Sequence, residues 1–209
     1  MTDQQTLARK ARKELLSEWR HHEILEAARR IFARLSYAAT NVEEIAKEAG
    51  VAKGTVYLYF KSKEEILAAV LASDLECLVA KTIAGMSPPQ TFAERLSVFL
   101  NLRVDYLQHN QDFLRICFDE FGSRCSRSKL ISDVIDKPFK RGFDFMRQCL
   151  EQAIAHGELR RIPVEPAALA IFDLARGFLE RHLRGWAQLS LEEDVAFTHS
   201  LILNGLQNK

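Results

Sequence analysis

Val42-Glu-Glu-Ile-Ala-Lys-Glu-Ala-Gly-Val-Ala-Lys-Gly-Thr-Val-Tyr-Leu-Tyr-Phe60 is the stretch on which the reading of this 209-residue chain turns. Asn41 precedes it, and Glu44 follows Asn41 by three positions. That is a capping box: the Asn41 side chain accepts from the Glu44 amide, and the Glu44 side chain reaches back. The helix so opened is short, because Gly50 stops it. Ile45, Ala49, Val51 and Val56 are spaced so that two short helices pack across a tight turn. Ala46 is small where the helices cross, and Gly50 sits where a positive φ is needed. The second helix, about 53–59, presents Lys53, Thr55, Tyr57, Leu58 and Tyr59. A helix of this kind fits the major groove and reads base edges from its N-terminal residues. Threonine can hydrogen-bond there or lay its methyl against thymine, while tyrosine and lysine reach phosphates. The same spacing also serves any αα-hairpin core, so by itself it leaves DNA binding and a purely structural hairpin equally open.

The flanks extend the helical pattern. Ile24, Ala28, Ile31 and Leu35 recur at helical spacing, widened by Leu25 and Phe32, and predict a helix over 18–35 that ends at Ser36-Tyr37. Upstream, 7–17 is helix-compatible but shows little apolar periodicity, and residues 1–17 are set apart as an N-terminal arm. With Arg9, Lys10, Arg12 and Lys13 they read as a basic arm, either a solvated tail or a source of phosphate or minor-groove contacts. Ser62-Lys-Glu-Glu65 opens a long helix to about 84, and Gly85 with Pro88-Pro89 breaks it. Thr91-Phe-Ala-Glu94 opens a helix to about His109, and another covers 111–122. Gly122, Ser123, Ser126 and Ser128 mark an interruption, after which Pro138 starts or kinks a helix ending at His156-Gly157. Pro166 suits the first turn of a helix over 166–187, and Ser190-Leu-Glu-Glu193 opens a last one to about 206. The expectation is an all-α chain of nine or ten helices.

Composition narrows the class. Hydrophobic residues make up 47%, which excludes a disordered chain, and only nine Gly and five Pro fit a helical one. No apolar run approaches the ~20 residues of a membrane span, and the basic N-terminus lacks the apolar core of a signal peptide. A cytoplasmic protein is expected. Cys77, Cys117, Cys125 and Cys149 form no C-x-x-C and read as free thiols, and the adjacent His21 and His22 point to different sides of a helix. No metal and no cofactor are expected. The net charge of +1 hides a local bias: Lys53, Lys61 and Lys63 lie in a stretch, 49–63, that has no acid. A helical enzyme is the second class considered. Against it, no Ser/His/Asp set, metal cluster or phosphate loop is legible, and Asp119 and Glu120 lack catalytic spacing. A helical adaptor using 166–206 for protein contact is the third.

Ile24-Leu-Glu-Ala-Ala-Arg-Arg-Ile-Phe32, followed by Thr40-Asn-Val-Glu-Glu-Ile-Ala-Lys-Glu-Ala-Gly-Val-Ala-Lys-Gly-Thr-Val-Tyr-Leu-Tyr-Phe-Lys-Ser-Lys-Glu-Glu-Ile-Leu67, closely resembles the N-terminal domain of TetR/AcrR-family repressors over about residues 20–70. The resemblance implies a helix-turn-helix domain over 18–63 and a ligand-binding and dimerisation domain over 64–209. It implies that Thr40 and Asn41 start the second helix near a phosphate. Lys53, Gly54 and Thr55 would open the recognition helix at the major groove, with Tyr57 and Tyr59 on backbone or bases and Lys63 on a phosphate. Gly54 has a physical reason, since a side chain there would hold the helix off the groove floor. Three positions depart from the pattern. Ala52 stands where Ser is frequent and removes a cap; Leu58 stands where Tyr is common and favours apolar contact; Ser36 replaces a frequent Gly.

A regulator of this kind needs an effector pocket and a dimer surface. The stretch 92–145 is rich in aromatics, which could line a pocket for an apolar or acyl-type ligand or could be ordinary core. The candidates are Phe99, Arg103, Tyr106, Phe113, Cys117, Phe118, Phe121, Phe143, Met146, Arg176 and Phe178. The arginines suit a carboxylate or phosphate-bearing ligand such as an acyl thioester. The last two helices are apolar on more than one side and give a candidate dimer surface of Leu169, Phe172, Gly177, Phe178, Val195, Leu201 and Ile202. The expected function is a homodimeric, ligand-responsive repressor on a pseudo-palindromic double-stranded DNA operator, with no enzymatic activity and no membrane partner.

Overall fold

The computed structural model describes residues 3–88, 91–121 and 129–207, without the side chains of 3–8, 116, 117 and 119–121. Cys117 and Phe121 therefore lie, as side chains, outside the described residues, as do Arg124 and Cys125. Among the described residues the chain forms eight helices and no strand: α1 (Asp3–Leu35), α2 (Val42–Glu48), α3 (Lys53–Tyr59), α4 (Lys63–Met86), α5 (Phe92–Phe121), α6 (Lys129–Ala155), α7 (Val164–Leu183) and α8 (Leu191–Leu206). They fall into two compact units, Met1–Leu71 and Ala72–Lys209.

In the first unit α1 packs on α2, and α2 on α3. Ile24, Ala27, Ala28, Ile31 and Phe32 of α1 are buried, with Ile45 and Ala46 of α2 and Val56 of α3. The capping box of α2 forms as its sequence predicts: the Glu44 amide donates to Asn41 Oδ1 at 3.0 Å, and the Asn41 amide donates to Glu44 Oε2 at 3.0 Å. Gly50 has φ +65°, and the turn closes when the Val51 amide donates to the Ala46 carbonyl at 2.9 Å. Ala52 caps α3 without a side-chain hydrogen bond. The early turns of α4 belong to this unit, where Ile66, Leu67 and Val70 are buried.

Residues 3–17 are not a separate arm in conformation; they are helical and continuous with α1. Periodicity misses this because no core face exists there. Helix propensity carries it instead, through Gln, Leu, Ala, Arg, Lys and Glu.

In the second unit α7 is central and packs on α5, α6 and α8. One core joins Phe92, Leu96, Phe99 and Leu100 of α5, Met146, Cys149, Leu150 and Ala153 of α6, Ala168, Ile171, Ala175 and Phe178 of α7, and Ile202 of α8. The sequence break near 109–111 is a kink: Asn110 has φ −137° and ψ 25° inside α5. Pro138 lies within α6 and is buried. α7 ends at Leu183, earlier than its apolar pattern suggests, because Gly185 takes φ +69° and turns the chain. No helix of the described residues is long and apolar enough to cross a membrane.

Candidate DNA interface and effector cluster

α3 buries one residue and exposes most of the rest. Val56 is fully buried, whereas Leu58 is 83% exposed and Tyr57 is 47% exposed. Lys53 and Gly54 are exposed, and Thr55 and Tyr59 are partly so. A Cβ added at Gly54 would meet nothing within 4 Å. The protein's own packing therefore does not require glycine at that position. Lys53 Nζ lies 3.2 Å from Glu43 Oε1 in a solvent-exposed pair, a kind that contributes little.

Two residues of the implied DNA set face inward instead. Thr40 is buried, and its hydroxyl donates to the Ser36 carbonyl at 2.7 Å. Lys63 Nζ donates to the Tyr37 and Thr40 carbonyls at 2.7 and 2.8 Å and lies 4.5 Å from the Tyr37 ring centroid. Its charge is held by the loop between α1 and α2, whose Tyr37, Ala38 and Thr40 carbonyls converge on one ammonium. Neither residue is poised for phosphate. Asn41 is exposed and holds its cap.

In the second unit four aromatic rings converge. Phe172 of α7 stands edge-on to Phe99 of α5, at 5.1 Å, and to Phe139 of α6, at 5.3 Å; Phe143 stacks on Phe139 at 6.0 Å. Arg103, one turn along α5, is buried among them, with its guanidinium 3.3 Å from the Phe99 centroid and 5.5 Å from that of Phe172. Nη1 donates to the Phe99 carbonyl at 2.8 Å. No carboxylate among the described residues pairs with it. Burial pushes its pKa down to about 9, the signature of a desolvated cation without a counter-ion.

The remaining pocket candidates separate. Met146 and Phe178 lie in the core beside this cluster. Phe113 is buried further along α5. Tyr106 donates its hydroxyl to Asp74 at 2.9 Å. Phe118 lines a different cleft with Arg115, Leu183, Arg184 and Trp186. Arg176 is exposed. The dimer candidates also divide. Phe172, Phe178 and Ile202 point into the subunit's own core, and Val195 packs against it. The outward apolar side chains of α7 and α8 are Leu169, Leu174, Phe197 and Leu201, and Gly177 has only the tip of Arg181 near it. Periodicity cannot separate two apolar faces on one helix, so inward and outward residues look alike in the sequence. One residue carries no sequence signal: Asp194, buried on α8, accepts from Arg181 Nη2 at 2.8 Å and His182 Nε2 at 3.1 Å and ties α8 to α7.

Comparison with known proteins decides the class. Residues 24–70 match the model of the bacterial regulatory proteins of the tetR family. The chain is 27% identical to a fatty acid metabolism regulator protein of Bacillus subtilis, over 91% of this chain and 97% of that one. The chain belongs to the TetR family. It is a DNA-binding transcriptional regulator and not an enzyme. The solved structures agree across both units. The fatty acid degradation regulator FadR of Bacillus halodurans superposes with a TM-score of 0.74 at 26% identity, covering 89% of this chain and 99% of that one. FadR of Bacillus subtilis, solved in complex with stearoyl-CoA, shares the fold with a TM-score of 0.76 at 24% identity, over 88% of this chain and 98% of that one. In this TetR-family chain the matched segment holds α2, α3 and the parts of α1 and α4 that pack around them. The first twenty-one residues of α1 precede it.

Proposed function

We propose that this TetR-family regulator is a homodimeric repressor, working in the cytoplasm, that is released from a pseudo-palindromic operator by an acyl-type effector. The observation that carries the DNA half is the open face of α3. Lys53, Gly54, Tyr57 and Leu58 are exposed side by side on a helix held rigidly by Val56, and the absent Gly54 side chain serves nothing inside the chain. Thr55 and Tyr59 flank that face, and Asn41 opens α2 beside it. Leu58 favours a thymine methyl where tyrosine would favour a phosphate.

Two recognition helices related by a two-fold axis read two half-sites about one helical turn apart. Leu169 and Leu174 of α7 and Phe197 and Leu201 of α8 are exposed apolar side chains on adjacent helices that a second copy would cover. The effector half rests on Arg103. A buried cation with no counter-ion among the described residues is costly, and an anionic or strongly polar ligand head placed against it would relieve that cost. The rings of Phe99, Phe139, Phe143 and Phe172 suit the apolar remainder of such a ligand, and relatives that regulate fatty acid metabolism point the same way. Effector binding would shift the population toward a state whose recognition helices no longer match successive major grooves.

The test has two stages. Selection from random double-stranded DNA should return a two-fold symmetric motif. Titration with long-chain fatty acids and stearoyl-CoA should then release the selected DNA. A selection that yields no motif contradicts the operator reading. A motif that no acyl compound displaces contradicts the effector reading alone.

A further inference from the structure

The helical segment 9–20 of α1 is more than a tail. The family match begins at residue 24, while α1 begins at Asp3. At 1.5 Å per residue, the helix runs for about 30 Å before the matched domain starts. Every side chain from Arg9 to Trp19 is exposed. Five basic residues, Arg9, Lys10, Arg12, Lys13 and Arg20, stand here against two acidic ones, Glu14 and Glu18. None of the five makes an ion pair among the described residues.

Their placement on the helix is ordered. Two buried rows of α1 face the rest of its unit: Ile24, Ala27 and Ile31, and beside them Leu25, Ala28 and Phe32. Continued toward the N-terminus at the same four-three spacing, the first row is Arg20, Ser17 and Lys13, with Arg9 and Lys10 on either side one turn further on, and the second is His21, Glu18 and Glu14. Where α1 has protein in front of it both rows are apolar; where it runs past the protein the first is cationic and the second carries the two acids. The rows' direction is fixed by two contacts with the end of the recognition helix. Ser17 Oγ lies 3.5 Å from Tyr59 Oη. The His21 ring lies 4.9 Å from that of Phe60 and 6.1 Å from that of Tyr59. The cationic row therefore leaves the unit next to α3, with Glu14 and Glu18 on the neighbouring row.

We infer that residues 9–20 are a second DNA-contacting element, a basic helix lying along the phosphates that flank each half-site. The inference rests on the reading of α3 as the operator-reading helix. Because phosphates carry no sequence, the extension would add affinity and footprint length but no base preference. Leu15, Leu16 and Trp19, also exposed on this segment, permit an anionic membrane surface as partner. DNA is favoured because the cationic row shares its side with α3.

The test uses the full chain and its R9Q/K10Q/R12Q/K13Q variant, on DNA selected by the wild-type chain and embedded in long flanks. The substituted side chains are exposed and make no ion pair among the described residues, so unchanged helical circular dichroism and melting are expected. The variant should bind at least tenfold more weakly at low salt. Its slope of log affinity against log salt should be shallower by about 0.9 for each phosphate that is no longer neutralised. Its ranking of half-site sequences should match the wild type. Trimming the flanks to the bare operator should abolish the difference. Equal affinity and equal salt slope on long DNA would overturn the inference, as would a variant that loses only its binding to phosphatidylglycerol vesicles. A wild-type chain that selects no sequence at all would instead remove the reading of α3.

Discussion

The guanidinium of Arg103 lies 3.3 Å from the centre of the Phe99 ring and donates to the carbonyl of the same residue, with no carboxylate beside it among the described residues. Ring faces and one carbonyl are partial compensation for a desolvated cation. The site is therefore built at the expense of the unliganded protein's stability. Arg103→Met keeps the apolar stem and removes the charge. The unliganded variant should gain on the order of 1 kcal/mol in denaturant unfolding, while its operator complex loses its response to acyl ligands. A variant that is strongly destabilised, or that still responds, would count against an anion-reading role.

Lys63 gives a second prediction, opposite to the family expectation of a phosphate contact. Its ammonium is held by the Tyr37 and Thr40 carbonyls. Charge-assisted bonds of this kind contribute about 1.5–3 kcal/mol. Lys63→Met should lower stability by about that much, read from chemical denaturation. Operator affinity of the folded variant, measured well below its melting point, should change by only a few fold.

Ser36 adopts φ +70°, the one non-glycine residue with positive φ among the described residues. An L-residue there carries a cost of about 1 kcal/mol. Ser36→Gly should raise stability by up to that amount in thermal melting, with operator binding unchanged. No gain, or a reduced melting temperature, would show that the serine makes a compensating interaction.

His21 supplies a pH dependence. Burial, with a smaller contribution from the neighbouring His22 charge, holds its pKa below the ordinary 6.5. The unfolded chain takes up this proton more readily than the folded one. The contribution is thus complete above about pH 6.5 and is lost as the pH falls toward the depressed folded value. Wild type and His21→Asn should run parallel in stability at neutral pH and above. The wild type should fall more steeply between about pH 6.5 and 5. Identical slopes would contradict this.

Much of the first unit is legible in the sequence because local chemistry specifies it. The Asn41 and Glu44 pair is a complete helix start, Gly50 a complete stop, and Val56 the one anchor that turns the rest of α3 outward. The inward turn of Thr40 and Lys63 is not legible, because their roles are implied by resemblance and no pattern shows a side chain curling back onto a loop. The second unit is legible as helices but not as faces. Phe172, Phe178 and Ile202 belong to the subunit's own core, and which side of an all-round apolar helix faces inward is decided by packing partners remote in sequence. The rings around Arg103 come from three helices, with Phe139 and Phe172 joining only through the fold.

The central claim is that α3 reads DNA, and Gly54 tests it most directly. A Cβ at Gly54 meets nothing in the protein, and alanine favours the helix over glycine by up to about 1 kcal/mol. Equilibrium binding of wild type and Gly54→Ala to the selected operator should show the variant folded, at least as stable, and weaker by tenfold or more. A stable Gly54→Ala protein that binds the operator as tightly as wild type would place the DNA contact elsewhere and contradict the account.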